Sequence, residues 1–187
     1  MARAQKQQIV RRRRTRGTLV SVDGVSAGAV ARLAKRLKSD NRDAQAGISW
    51  WDASGIFGDI EAARTEMDPP SARTLLLLYA ADLMFRVRWE ITPALAEGRT
   101  VIAAPYVDTA IAFGRASGIE EAWLRDMFNF APSSTESRHV SEPPGPGRGG
   151  QGFMEFASRR LIGMDSRSAR QDLFTRMHAR LKATRSR

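Results

Sequence analysis

The sequence predicts an α/β domain in three layers, a mainly parallel sheet flanked by helices. Two observations predict it. Short apolar runs at Leu19–Val22, Ala46–Trp51 and Thr100–Ala103 alternate with segments whose apolar residues recur at helical spacing. The third of these runs, TVIA, is apolar throughout, as a strand covered on both faces requires. The chain has 187 residues, enough for one domain with a sizeable core.

Residues 1–17 show no periodic apolar face and include Arg11, Arg12, Arg13, Arg14 and Arg16, so they read as a basic, disordered arm. A solvated tail and a contact to nucleic acid or an acidic protein surface are equal readings of such a run. The domain starts at Thr18. The stretch TLVSVDGVSAGAVARLAKRL passes from a strand through Asp23-Gly24 and small residues into a helix with Val30, Leu33, Ala34 and Leu37 on one face. Strand, glycine turn and helix start in this order form the element that cradles phosphates, because free N–H groups and the helix dipole face an anion. Asp23, Gly24, Ser26 and Gly28 are therefore the phosphate-loop candidates. The working form, Gly-x-x-x-x-Gly-Lys-Ser/Thr, is missing. No lysine lies between Gly24 and Lys35, and no hydroxyl follows Gly28.

Ser39-Asp40-Asn41 ends that helix, and Asp52-Ala53-Ser54-Gly55 is a turn after the second strand. A short helix is expected over Asp59–Met67, stopped by Pro69-Pro70. Ser71 then caps a long helix to about Glu97, with Leu75, Leu78, Tyr79, Leu83 and Phe85 inward and Gly98 as its stop. Pro93 is expected to kink it or end it early. Helices follow at Tyr106–Arg115 and Glu120–Phe130, the latter with Trp123, Leu124, Met127 and Phe128 in the core. Residues 133–152, rich in Pro and Gly, are expected as a loop. Phe153–Arg160 reads as helix and Leu161–Met164 as a brief strand. A last helix turns Leu173, Phe174, Met177 and Leu181 inward. Residues 18–183 thus form one domain, followed by a basic tail at 184–187.

Charge is unevenly spread. The net charge is +10, yet residues 1–17 carry seven Lys/Arg and no acid, and residues 167–187 carry seven against Asp172 alone. The body between them holds 16 basic and 19 acidic residues. Basic ends on an acidic body attract polyanions or acidic protein surfaces. Because ligand loops sit at the carboxyl ends of parallel strands, both ends are expected to leave from the opposite face. No cysteine is present, which excludes disulfides, thiol nucleophiles and thiolate metal sites. His139 and His178 lack ligand spacing and read as ordinary polar residues. No metal site is expected beyond magnesium held by carboxylates, with Asp23 the candidate. No apolar run is long enough for a membrane span and no secretory signal is evident, so a cytoplasmic location is expected.

Leu75 to Phe113, LLLLYAADLMFRVRWEITPALAEGRTVIAAPYVDTAIAF, resembles the central segment of thymidylate kinases, with Ala80-Ala81-Asp82 and Tyr106-Val107-Asp108 in register. The resemblance implies a P-loop NTPase-like fold. It places Tyr79, Asp82, Tyr106, Asp108, Thr109 and Phe113 in the substrate pocket, with Tyr79 stacking on the base and Thr109 and Phe113 matching the family's Ser and Tyr. It implies ATP and magnesium as cofactors wherever nucleotide binding is kept, and pairing through helices as a homodimer or with another protein. The departures are selective. Ala29, Val30 and Ala31 stand where the lysine and its hydroxyl partner belong, and Trp51 where an arginine reaches the substrate phosphate. Leu83 replaces a base-contacting arginine, Ala104-Pro105 an Asp-Arg pair and Gly114 a glutamine. The Pro/Gly loop, with Arg138 and Arg148, replaces an arginine-rich lid.

Phosphoryl transfer rests on positioning and electrostatic stabilisation. Deleting one such donor costs ~3–4 kcal/mol of barrier, so three or four losses, though not strictly additive, remove on the order of 10 kcal/mol. The expectation is a catalytically degenerate kinase-like protein acting as scaffold, partner subunit or weak nucleotide binder. Two alternatives stand beside it. One is an active dTMP-type kinase whose missing lysine is replaced by Lys35, an arm arginine or another subunit. The other is a nucleic-acid-binding protein using the basic ends.

Overall fold

The structure, a computed structural model, describes residues 17–41, 45–63, 68–142, 152–161, 163 and 166–184. The arginine arm, residues 143–151 of the Pro/Gly loop with Arg148, and the last three residues lie outside them.

Four parallel strands form the sheet: β1 (Thr18–Gly24), β2 (Gly47–Trp50), β3 (Thr100–Ala104) and β4 (Glu136–Val140), in the order β2-β3-β1-β4. Side chains alternate across it. Val20, Val22, Ile102 and Ala104 pack under α1 (Ala27–Asp40), through Ala29, Val30 and Ala34. Leu19, Val101 and Ala103 face the larger opposite layer. That layer contains α3 (Ala72–Arg86), α5 (Val107–Ala116), α7 (Phe153–Arg160) and α8 (Arg167–Thr184), with α2 (Ile56–Ala62), α4 (Thr92–Ala96) and α6 (Glu121–Phe128) as shorter pieces. This is the expected three-layer arrangement. No described helix is long and apolar enough to cross a membrane.

The fourth strand is not where the sequence suggests. Leu161 caps α7 and is buried in the core, Gly163 sits in a turn with φ 79°, and neither is in a strand. Instead ESRHV, inside the expected loop, pairs along β1 from Val20↔Glu136 to Gly24↔Val140. It lies at the sheet edge and buries only Val140, so its sequence is polar and carries no apolar run. The path of the last helix changes with it. Leu173 and Arg176 of α8 lie by the end of α5 at Ala116–Gly118, whereas His178, Leu181 and Lys182 flank His139–Ser141. The helix therefore climbs toward the carboxyl ends of the strands. The described part of the second basic segment runs to the ligand-loop side, contrary to the expectation that it leads to the opposite face.

The long helix starts at Ser71, whose hydroxyl accepts from Thr74 N at 3.1 Å. It runs through α3, a π-helical turn at Val87–Ile91, and α4, with Gly98 at φ 80° as its stop. Pro93 neither ends nor breaks it. Proline removes one donor from the ladder, and the wider turn just before it absorbs that loss. Leu75, Tyr79 and Leu83 are fully buried as expected, but Phe85 is exposed.

Arg86, at the end of α3, is fully buried. Its Nε donates to Ser49 Oγ at 3.0 Å and its Nη2 to Ser49 O at 2.8 Å, fastening the helix to β2. Ser49 Oγ donates onward to Glu90 at 2.6 Å. Asp82 stands 4.0 Å from Arg86 and accepts from Asp52 N, Ser54 N and Ser54 Oγ, which shapes the loop after β2. Removing one partner of a buried ion pair strands the other, at about 3–5 kcal/mol. Arg86→Ala is expected to lower the unfolding free energy by that amount in urea denaturation, against a far smaller effect for exposed Arg73→Ala.

Candidate functional site

Only Val25 and Ser26 separate β1 from α1, too little chain for a wide phosphate loop. Ser26 is the N-cap: its Oγ accepts from Ala29 N at 3.4 Å. Gly28, expected in the turn, lies in the first turn of the helix. Gly24 packs tightly, since a Cβ there would come within 3.0 Å of Val140 and 3.1 Å of Val30.

The free N–H at the helix start has already found an anion. Ala27 N donates to Glu155 Oε1 at 3.1 Å, so a carboxylate from α7 sits at the positive end of α1. The second oxygen, Oε2, is buried with no hydrogen-bond partner among the described residues. Burial raises the Glu155 carboxyl above its ordinary 4.5, and it outweighs the N–H groups of its own residue and Ala27 and the charge of Arg159. The approach is close because residue 152 is glycine: a Cβ there would fall 2.3 Å from Ala27 Cβ.

The cleft over this point has a volume of about 170 Å³ and is lined by Ala27, Val30, Ala31, Trp50, Trp51, Ala104, Pro105, Thr109 and Gly152–Glu155. It contains no Lys or Arg among the described residues. Its one formal charge, Glu155, is negative. Lys35 is exposed and lies eight residues beyond Ala27 on α1, about 12 Å along the axis, so it does not reach the first turn. Arg159 and Arg160 line an adjoining cleft, each paired with Glu61 at 3.7 and 3.6 Å.

Of the substrate-pocket candidates, Tyr79, Asp82, Tyr106, Thr109 and Phe113 are buried beneath the surface, and Asp108 is partly exposed. Tyr79 is fully buried; its hydroxyl donates to Tyr106 O at 2.7 Å, and Phe153 meets its ring edge-on at 4.7 Å. Phe113 is equally buried, with Phe153 at 5.1 Å. Phe153 thus stands between the two aromatics that the resemblance assigns to the base and its surroundings. Tyr106 OH donates to Pro132 O at 2.7 Å. Gly114 has no room for the glutamine it replaces, since a Cβ would meet Leu124 at 2.4 Å and Leu76 at 3.1 Å. Trp51, in the arginine's place, packs on Phe57 at 4.8 Å.

Asp23 is fully buried on the face of β1 opposite α1. Its Oδ1 accepts from Tyr106 N and Thr109 N, both at 2.9 Å, and from Thr109 Oγ1 at 2.7 Å, while Gly24 N donates to Thr109 Oγ1 at 3.2 Å. The carboxylate thus ties β1 to the start of α5. Its pKa rises from 3.8 to about 6 because burial and the nearby Asp108 charge outweigh these hydrogen bonds. Asp108 pairs with His139 Nε2 at 2.8 Å. Sequence reasoning missed Glu155, Phe153 and His139. None carries a local motif, and each reaches the site across more than thirty residues of chain or a strand unrecognised in the sequence.

The Glu155 carboxyl gives a pH signature. Its folded pKa is raised, so the folded state binds the proton more tightly, and stability is lost as pH climbs from 4.5 through the raised value. Glu155→Gln keeps an oxygen for Ala27 N and removes the titration. The expected outcome is an unfolding free energy that falls less steeply with pH in this variant than in the parent, read by chemical denaturation at a series of pH values.

No protein-family model matches the chain. Curated relatives do. A thymidylate kinase of Geobacillus thermodenitrificans is 40% identical over 77 residues, 38% of this chain and 33% of that protein. A thymidylate kinase of Cereibacter sphaeroides is 32% identical over 121 residues, 59% of this chain and 54% of that protein. The chain thus spans from a third to about half the length of these relatives. The crystal structure of thymidylate kinase from Ehrlichia chaffeensis superposes with a TM-score of 0.59 at 13% identity, over 91% of this chain and 90% of that one. Together with the parallel sheet and its flanking helices, these likenesses mean that the protein has a P-loop NTPase-like α/β fold and is related to the thymidylate kinases.

Proposed function

We propose that this chain is a catalytically degenerate relative of the thymidylate kinases, serving as a scaffold, partner subunit or weak nucleotide binder. The observation that supports this reading most is the Glu155 carboxylate on Ala27 N, in a cleft with no cation among the described residues. An enzyme that moves a phosphoryl group places N–H groups, lysine, arginine and magnesium around developing negative charge. Here the helix start carries an acid, and the entering phosphate would meet repulsion. Phe153 packs edge-on against Tyr79, whose ring is fully buried.

Turnover of dTMP with ATP and magnesium tests the reading directly. Kinases of this chemistry run at about 1–100 per second. The purified chain is expected to show no turnover above a protein-free control, and a rate in that range rejects the reading. Calorimetric titration with dTMP and with ATP–magnesium then separates a weak nucleotide binder from a scaffold without ligand.

The partner role has support in a second place. Leu77, Met84 and Trp89 are 56, 54 and 66% exposed and share one side of the long helix with exposed Phe85. Apolar side chains gathered on one helix face mark a surface that another chain covers. Given the resemblance to proteins that pair through helices, the occupant is taken to be a second copy. The parent is expected to sediment as a dimer at micromolar concentration and the Leu77→Ser, Met84→Ser, Trp89→Ser triple variant as a monomer. A parent that stays monomeric at every concentration rejects the pairing.

A further inference from the structure

We propose that Asp23, Asp108 and His139 form a binding site for a divalent transition metal of the zinc class, linking β1, α5 and β4. One ligand atom from each residue lies within 4.8 Å of the other two. The three come from distant parts of the chain and meet because β4 pairs with β1 in register, setting His139 beside Asp23.

The second observation is the state of Asp23. Its side chain is fully buried, Oδ1 is satisfied three times over, and Oδ2 has no hydrogen-bond partner among the described residues. A buried carboxylate oxygen without a donor is costly unless a proton or a cation serves it. The donors on Oδ1 also fix the carboxylate's orientation, which is what outer hydrogen bonds do for metal ligands. Asp108 and His139, 28 and 11% exposed at their side chains, leave the outer rim open for an ion to enter and for a solvent ligand to complete its shell.

The distances suit a small ion. Four donors at about 2.1 Å around zinc stand about 3.4 Å apart. Asp108 and His139, at 2.8 Å, have to open slightly to reach that separation. Separations of up to 4.8 Å have to close by about 1.4 Å, a movement that falls to the less buried Asp108 and His139. The donor set also selects the metal. Magnesium prefers oxygen and water, whereas one imidazole with two carboxylates suits zinc, cobalt and their neighbours. This departs from the magnesium expected for Asp23 alone.

The chain has two histidines and no cysteine, so imidazole ligation can be assigned cleanly. The full chain, stripped with a chelator, is titrated with Co²⁺ while visible absorption is followed, and Zn²⁺ and Mg²⁺ are then added as competitors. The expected result is saturable 1:1 binding with visible d–d bands, displaced by Zn²⁺ but not by excess Mg²⁺. His139→Gln and Asp23→Asn are expected to weaken it about tenfold or more, while His178→Gln leaves it unchanged. Circular dichroism checks that each variant is folded, and partly exposed His139 gives a readout independent of the buried Asp23. Absence of saturable uptake by the parent overturns the proposal. So does uptake that folded His139→Gln retains, or that His178→Gln removes.

Discussion

Much of this structure turns on one electrostatic requirement, that the exposed N–H groups at the start of a helix find an acceptor. In a phosphate-binding protein the ligand supplies it. Here the first N–H of α1 is served by Glu155 and the third by the Ser26 side chain. Once a carboxylate is seated there, neighbouring features become consistent with it. Residue 152 must be glycine to let α7 approach Ala27, and the side chains over the helix start are apolar rather than cationic. Phe153 follows Gly152 directly and is carried into the space between Tyr79 and Phe113. One ion–dipole contact and one aromatic contact, two residues apart on α7, thus seat that helix against α1 and the core.

The layer beneath is held by a different logic. Two buried ionic centres, Asp23 and Arg86, hold the sheet to the helices on one side. Asp23 gathers the N–H groups of Tyr106 and Thr109 and so sets how α5 leaves β3. Arg86 gathers the carbonyl and hydroxyl of Ser49 and, with Asp82, sets the loop after β2. Residues that suggest chemistry in the sequence, Asp23 and Asp82, thus act here as internal fasteners. Asp82 is the clearest case. Its motif position matches the kinases, yet its partners are the backbone of Asp52 and Ser54.

Legibility in the sequence followed burial. The strands covered on both faces, β1 and β3, announce themselves by apolar content, and α1, α3 and α5 by periodicity. The edge strand β4 buries one residue in five and reads as loop. The strand expected at Leu161–Met164 arose from the opposite error: Leu161 is the C-cap of α7, buried in the core, and Gly163 lies in a turn. That single exchange also reversed the expected course of α8, because a helix entered from the wrong strand is drawn descending rather than climbing.

By itself, the sequence determined the α/β class, the order of most elements and the absence of lysine between Gly24 and Lys35. Those are properties of composition and spacing along the chain. Which groups meet at the start of α1 and beside Asp23 was decided only by tertiary structure. Glu155 lies 128 residues from Ala27, and His139 lies 31 from Asp108. No local pattern encodes such meetings. They follow from parallel pairing of β4 with β1 and from the seating of α7 over the start of α1, and packing that brings distant segments together leaves no periodic trace in the sequence it joins.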